Sequence, residues 1–191
     1  SGRHDQRGAT GPVLRTAVAA GVATTPSWTG ESNQADARYG WSVAAAGDVN
    51  GDNYGDVIVG APRFNNGQQQ EGRAWLYQGG PAGLAASAAW TTESNQTNAR
   101  FGAAVAAAGD VNGDGYADVV VGAPGYPHPT TGDALGAALL YRGGATGLST
   151  TAAWTLPGNG RNWEFGHAVA SAGDVNGDGY ADVIIGAPYH D

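Results

Sequence analysis

One unit of about sixty residues, written three times, restricts this chain to a repeat architecture. Trp28, Trp90 and Trp154 open equivalent stretches 62 and 64 residues apart. Twelve residues after each Trp comes the Gly of Tyr39-Gly40, Phe101-Gly102 or Phe165-Gly166. Eight residues further on, an Asp-rich cluster opens at Asp48, Asp110 or Asp174. Each cluster runs into an apolar stretch that ends Gly-Ala-Pro, at Gly60 to Pro62, Gly122 to Pro124 and Gly186 to Pro188. The two extra residues of the second unit fall in the segment Gly125–Leu135, where a surface loop tolerates insertion.

Each unit reads as four short strands. The first, near Gly40–Ala46, is made of Gly, Ala and Ser around Val43, with counterparts around Val105 and Val169. Small side chains suit a strand crowded near a common axis. The second is Val57-Ile58-Val59, Val119-Val120-Val121 or Val183-Ile184-Ile185, and an unbroken β-branched run predicts a strand covered on both faces. The third is Arg73–Tyr77 or Ala137–Tyr141, and the fourth carries the Trp, as in Ala89-Trp90-Thr91. Gly-Gly, Pro and Asn-rich segments separate them. Helix is rejected for Ala103–Ala108, which is short, lies between Gly102 and Gly109 and has no 3.6-residue apolar stripe. Four short strands per unit predict an all-β chain of four-stranded antiparallel propeller blades.

The Asp clusters carry the chemistry. They are Asp48, Asn50, Asp52, Tyr54 and Asp56; Asp110, Asn112, Asp114, Tyr116 and Asp118; and Asp174, Asn176, Asp178, Tyr180 and Asp182, all in the pattern D-x-N-x-D-x-Y-x-D. Side-chain oxygens fall at positions 1, 3, 5 and 9, and position 7 offers the backbone carbonyl of the Tyr. A calcium-sized cation takes six to eight oxygens, which a tightly wound loop supplies from alternate residues. Position 6 is Asn53, Gly115 or Gly179, residue types that tolerate a left-handed backbone. The loops open like an EF-hand, but no closing Glu follows; the chain enters an apolar strand instead. Magnesium favours fewer carboxylates and retained water, and zinc lacks Cys or nearby His ligands. A polar turn without metal accounts for a single such loop as well as a calcium site does; three copies in register point to three calcium ions per chain. Close carboxylates also repel unless a cation lies between them.

The order aromatic-Gly, Asp loop, Gly-Ala-Pro resembles the FG-GAP repeat of integrin α-chain N-terminal propellers and similar bacterial proteins, over nearly all of residues 21–188. The resemblance implies calcium held between the first two strands of a blade, with the three loops above as its ligands. In that family the ring has seven blades. Ligand recognition by integrins does not carry over, because the motif does not specify the surface loops involved.

Composition sets further bounds. Net charge is −8, with nine of the 17 acids inside the three clusters, and three bound dications would bring it to −2. This balance argues against nucleic acid as a partner. All nine basic side chains are Arg, and there is no Cys, hence no disulfide or thiolate site. No apolar stretch approaches a membrane span of about 20 residues. The opening Ser1-Gly2, without Met, reads as a tag remnant or an excised segment.

The four His, at 4, 128, 167 and 190, have no partner at catalytic spacing, and His167 reads as packed or channel-facing. The repetition of Trp28, Trp90 and Trp154 predicts packing between blades, whereas Trp41 and Trp163 do not repeat and are the better surface candidates. No nucleotide loop, nucleophile elbow or zinc-hydrolase motif is present.

The expected organisation is a flexible segment 1–11, then a half blade 12–31, blades 39–92 and 101–155, and a complementary half blade 165–191. Gly21-Val22 stands before Trp28 as Gly83-Leu84 stands before Trp90, and Val13–Ala17 falls where a third strand belongs. Three blades are too few to close a ring, and open edges associate, so the expected partner is a second copy in a six-bladed homodimer. The expected function is a calcium-stabilised, non-catalytic module for adhesion or recognition, extracellular or at the cell surface. The alternatives are a lectin-like carbohydrate binder, an accessory part of a larger secreted enzyme, and a propeller segment with no function beyond assembly.

Overall fold

The inner hairpin of each repeat is built first by its composition. Six-residue strands of Ala, Val and Ser run out to the Asp loop, and β-branched strands return. The computed structural model describes residues 24–190 and, before them, the backbone of three two-residue strands: β1 (Val13–Leu14), β2 (Ala17–Val18) and β3 (Gly21–Val22). The expectation for residues 1–11 lies outside the described residues.

After β4 (Trp28–Thr29), the first complete sheet holds β5 (Ser42–Gly47), β6 (Asp56–Ala61), β7 (Arg73–Tyr77) and β8 (Trp90–Glu93). The second holds β9 (Ala104–Gly109), β10 (Asp118–Ala123), β11 (Ala137–Tyr141) and β12 (Trp154–Pro157). A third hairpin pairs β13 (Ala168–Gly173) with β14 (Asp182–Gly186). Both four-stranded sheets are antiparallel meanders in sequence order, and no helix occurs among the described residues. No described helix is therefore long and apolar enough to cross a membrane.

Residues 104–109 form a strand, as the rejection of helix requires. A β-bulge interrupts the inner hairpin just before each Asp loop, beside Asp56, Asp118 and Asp182. Gly47, Gly109 and Gly173 take positive φ there (80°, 83° and 71°), and the bulge turns the chain into the loop.

The N-terminal strands repeat the outer half of a blade. Leu14 stands opposite Trp28 in the same register as Leu76 opposite Trp90 and Leu140 opposite Trp154. The expected third strand is shorter than Val13–Ala17: Ala17 belongs instead to a small hairpin in which it pairs with Val22. In the register set by Leu14, Ala17 corresponds to Gly79 and Gly143, which lie past the ends of the third strands at Tyr77 and Tyr141.

Blades stack face to face, and the core lies between them. Ala46, Val49, Ile58, Leu76 and Trp90 of the first blade meet Val105, Val119, Val121, Leu139 and Tyr141 of the second. The other face of the second blade, with Val120, Ala138 and Leu140, covers Val169, Val183 and Ile185 of the third hairpin. Trp90 confirms its reading as packing between blades: it is buried, its ring meets Tyr141 edge-on at 5.0 Å, and its Nε1–H donates to Ser149 O at 2.9 Å. Trp28 makes the corresponding contacts one blade earlier, to Tyr77 and Ala85 O.

The β-branched runs depart from expectation once. Ile58 and Val120 are 0 % exposed, but their equivalent Ile184 is 61 % exposed. A strand is covered on both faces only where blades lie on both sides, and among the described residues nothing packs on the Ile184 face.

The Gly-Ala-Pro and aromatic-Gly motifs interlock. Within each repeat the Gly after the aromatic residue donates its N–H to the Gly of Gly-Ala-Pro: Gly40 to Gly60 O, Gly102 to Gly122 O and Gly166 to Gly186 O, at 3.0 to 3.1 Å. Between repeats, Gly72 forms a parallel bridge with Phe101, and Gly136 with Phe165. The first motif of one blade is thereby tied to the third strand of the blade before.

Candidate metal centre

The three loops close the inner hairpins at one end of the blades. In each, the first Asp is a hub for backbone N–H groups. Asp48 accepts from Gly51, Asp52 and Asn53 at 2.7, 3.1 and 2.7 Å. Asp110 accepts from Gly113, Asp114 and Gly115 at 2.7, 3.1 and 2.8 Å, and Asp174 from Gly177, Asp178 and Gly179 at 2.7, 3.0 and 2.9 Å. The fifth-position Asp then accepts from the Tyr N–H two residues on: Asp52 from Tyr54 at 2.9 Å, Asp114 from Tyr116 at 3.0 Å and Asp178 from Tyr180 at 2.9 Å. These bonds wind the chain so that alternate residues share one side. Position 6 takes the expected left-handed backbone, with φ of 68° at Asn53, 87° at Gly115 and 91° at Gly179.

The ninth-position Asp has a second task that the motif does not announce. Asp56 and Asp118 are buried. Asp56 accepts from Val49 N–H and from Gly79 N–H, each at 2.9 Å; Asp118 accepts from Val111 at 2.8 Å and Gly143 at 2.9 Å. One carboxylate thus bolts the loop to the turn that leaves the third strand. Asp182 accepts from Val175 at 2.9 Å and has no third-strand partner among the described residues.

Electrostatics separates the two kinds of Asp. Burial raises the carboxyls of Asp56 and Asp118 above the ordinary range; their backbone hydrogen bonds oppose this, and the charges of the neighbouring loop acids add to it. At Asp48 and Asp110 desolvation acts the same way, but four backbone hydrogen bonds outweigh it and hold the carboxyl below its usual range. At Asp174 the backbone hydrogen bond from Gly179 is the largest influence and the net direction is also downward. Each loop therefore combines an acid kept ionised with one, in the first two loops, that is short of positive charge.

Among the described residues no three His, Asp or Glu side chains sit together as a preassembled metal cage. Like-charged oxygens do not draw together unaided, and here each is held by N–H donors. The donor set nevertheless fits a hard cation. Carboxylate and amide oxygens and a carbonyl alternate along one tight loop. In the second loop Asn112 Oδ1, at position 3, is buried with no hydrogen-bond partner. A buried unpartnered oxygen at a ligand position is the group a cation satisfies. Its Nδ2 donates to Asp114 Oδ2 at 2.8 Å, as Asn50 donates to Asp52 at 2.9 Å, so the amide oxygen faces away from that bond.

A propeller-type repeat whose inner hairpins close on Asp-rich loops is the class defined by this fold and these loops. The FG-GAP repeat model matches residues 39–77, 101–141 and 165–191, and the chain belongs to the FG-GAP repeat family. Over 174 residues, 84% of this chain, it is 36% identical to integrin alpha-V of Gallus gallus, of which it spans 16%. It is 34% identical over 153 residues, 78% of this chain, to integrin alpha-4 of Xenopus laevis, of which it spans 14%. It is also 36% identical over 161 residues, 80% of this chain, to phosphatidylinositol-glycan-specific phospholipase D of Bos taurus, of which it spans 19%. The chain thus spans a small part of each of these relatives.

Proposed function

We propose that this chain is a calcium-stabilised, non-catalytic recognition module that works outside the cytoplasm. The observation that carries the reading is the threefold loop, with the unpartnered Asn112 Oδ1 at a ligand position. Asp48, Asn50, Asp52, Tyr54 O and Asp56 hold the first ion, and the equivalent residues from Asp110 and from Asp174 hold the second and third. The ions neutralise carboxylates that otherwise repel, and they stiffen the ends of the hairpins on which blades stack. Extracellular calcium modules have Kd values of about 10⁻⁴ to 10⁻³ M, which suits a site filled outside cells. The family matches to integrin alpha chains support adhesion or recognition as the role. Asp114→Ala removes the fifth-position ligand of one loop, and calorimetric titration is expected to count two calcium ions where the parent chain takes three. Unchanged stoichiometry removes Asp114 from the ligand set.

The partner within the assembly is a second copy of this chain. The face that carries Ile184 and Val175, both exposed, corresponds to the face that Ile58 and Val49 bury against the second blade. At the other end of the array Val43 is exposed, while its equivalent Val105 is buried by the blade before it. The two faces are therefore the two halves of an interface the chain already makes internally, and a second copy continues it, closing six blades in the dimer. Light scattering in calcium buffer is expected to give twice the 19.2 kDa chain mass; a monodisperse single-chain species at micromolar concentration overturns the dimer.

A further inference from the structure

At the end of the blades away from the Asp loops, arginines of two successive repeats converge. A cleft of about 150 Å³ opens there, lined by Arg38, Arg63, Arg100 and His167, with Trp41 and the Gly-Ala-Pro prolines among its walls. Trp41, Ala103 and His167 are repeat equivalents at the approach to the innermost strands, so the cleft lies where those strands begin. Arg38, Arg100 and Glu164 are equivalents one turn earlier, and all three take left-handed backbone, with φ of 58°, 56° and 52°. Each closes a tight turn by accepting from the residue three on: Trp41 N–H to Arg38 O, Ala103 N–H to Arg100 O and His167 N–H to Glu164 O. The turn points the same position of successive blades toward one opening.

Three guanidiniums gathered in a chain of net charge −8 require a reason. Glu164 pairs at the rim with Arg100 at 3.4 Å and with His167 at 3.0 Å. Arg38 and Arg63 have no carboxylate partner among the described residues. Arg38 is instead held over the exposed Trp41 ring, 4.8 Å from its centroid, which fixes the guanidinium plane. The acidic loops do not neutralise this group. They lie at the far end of six-residue strands, roughly 20 Å away at about 3.3 Å per residue, beyond a Debye length at physiological salt. Pro62 and Pro124 are buried, so the floor between the arginines is rigid.

We propose that this cleft is a carboxylate-binding site that takes an acidic side chain of a protein partner. A guanidinium fork matches a carboxylate with two parallel hydrogen bonds, and Arg38 and Arg63 hold theirs free. The cleft admits one small group rather than a length of chain, and this favours a Glu or Asp side chain over an acidic polysaccharide. The inference names partner chemistry for the recognition reading and rests on it; it does not depend on calcium.

Fluorescence anisotropy with labelled hexaglutamate, in calcium buffer at 0.15 M salt or about that ionic strength, tests it. Hexaglutamine and hexagalacturonate are the comparison probes. Hexaglutamate is expected to bind, and hexaglutamine not to bind. The double variant Arg38→Gln, Arg63→Gln is expected to weaken hexaglutamate binding by about tenfold or more, the loss of at least one charge-assisted fork. Arg142→Gln, outside the cleft, is expected to leave it unchanged. Both variants alter solvent-facing groups, and a thermal melt equal to the parent's shows that they fold. Equal binding of hexaglutamine, binding insensitive to the double variant, or preference for hexagalacturonate each overturns the proposal. Failure here with calcium-dependent melting intact removes the cleft alone; loss of calcium dependence with hexaglutamate binding intact removes the metal reading alone.

Discussion

Chelating calcium with EGTA is expected to lower the melting temperature of this chain by roughly 10 °C from its value at 1 mM calcium. A ligand bound only by the folded state stabilises it by RT ln(1 + [L]/Kd). At a Kd of about 10⁻⁴ M each site contributes about 1.4 kcal/mol, so three contribute roughly 4 kcal/mol. A domain of this size shifts by about 2–4 °C per kcal/mol. The direction follows from the loops themselves. Asp56 and Asp118 are buried carboxylates that already bolt loop to third strand through Gly79 and Gly143, and burial together with their neighbours' charge raises them. A dication opposes both influences at once. Magnesium is expected to restore little, because it retains its water and demands a tighter octahedron. Differential scanning calorimetry in calcium, magnesium and EGTA measures this directly, and coincident melts in calcium and EGTA defeat the metal reading.

Much of this architecture is legible in the sequence because its signals are local and repeated. The third strands occur at Arg73–Tyr77 and Ala137–Tyr141 as the apolar pattern marks them, and the Asp loops fall between the first two strands of each hairpin. What the sequence hides is contact across distance. Asp56 reaches Gly79 over 23 residues, and no spacing rule marks that partner. Glu71 is fully buried, with one oxygen taking Asn66 N–H and the other unpartnered, yet its equivalent in the next repeat is Leu135, so repetition gives no warning of it. The cationic cleft is hidden for the same reason. Arg38 and Arg100 sit 62 residues apart, and only blade stacking brings them to one opening. His167, read as packed or channel-facing, is not packed: it is exposed beside Glu164 and lines this opening. Ile184 shows the converse limit: a β-branched run reports that a strand is suited to burial on both faces, not which neighbour buries it.

The Gly of Gly-Ala-Pro provides the sharpest test of how blades meet, because the third copy is an internal control. A Cβ built on Gly60 lies 2.0 Å from Gly102 O, and one on Gly122 lies 2.0 Å from Gly166 O. In both cases the obstacle is backbone of the next blade, which moves only if the blades separate. Neither Gly needs left-handed backbone, so the requirement is for space alone. Gly122→Ala is therefore expected to cost about 3 kcal/mol or more, a fall in melting temperature of roughly 6–12 °C. A Cβ on Gly186 meets only Ala168 of its own hairpin, at 3.4 Å or more. Within one chain Gly186→Ala is then expected to change stability by no more than about 0.5 kcal/mol. In the dimer the same methyl meets the aromatic-Gly carbonyl of the incoming copy, as Gly122 meets Gly166. Gly186→Ala is thus expected to fold and bind calcium as the parent does while scattering light at the single-chain mass. A Gly122→Ala variant that melts with the parent contradicts the blade contact, and a Gly186→Ala variant that keeps the dimer mass contradicts docking through the Ile184 face.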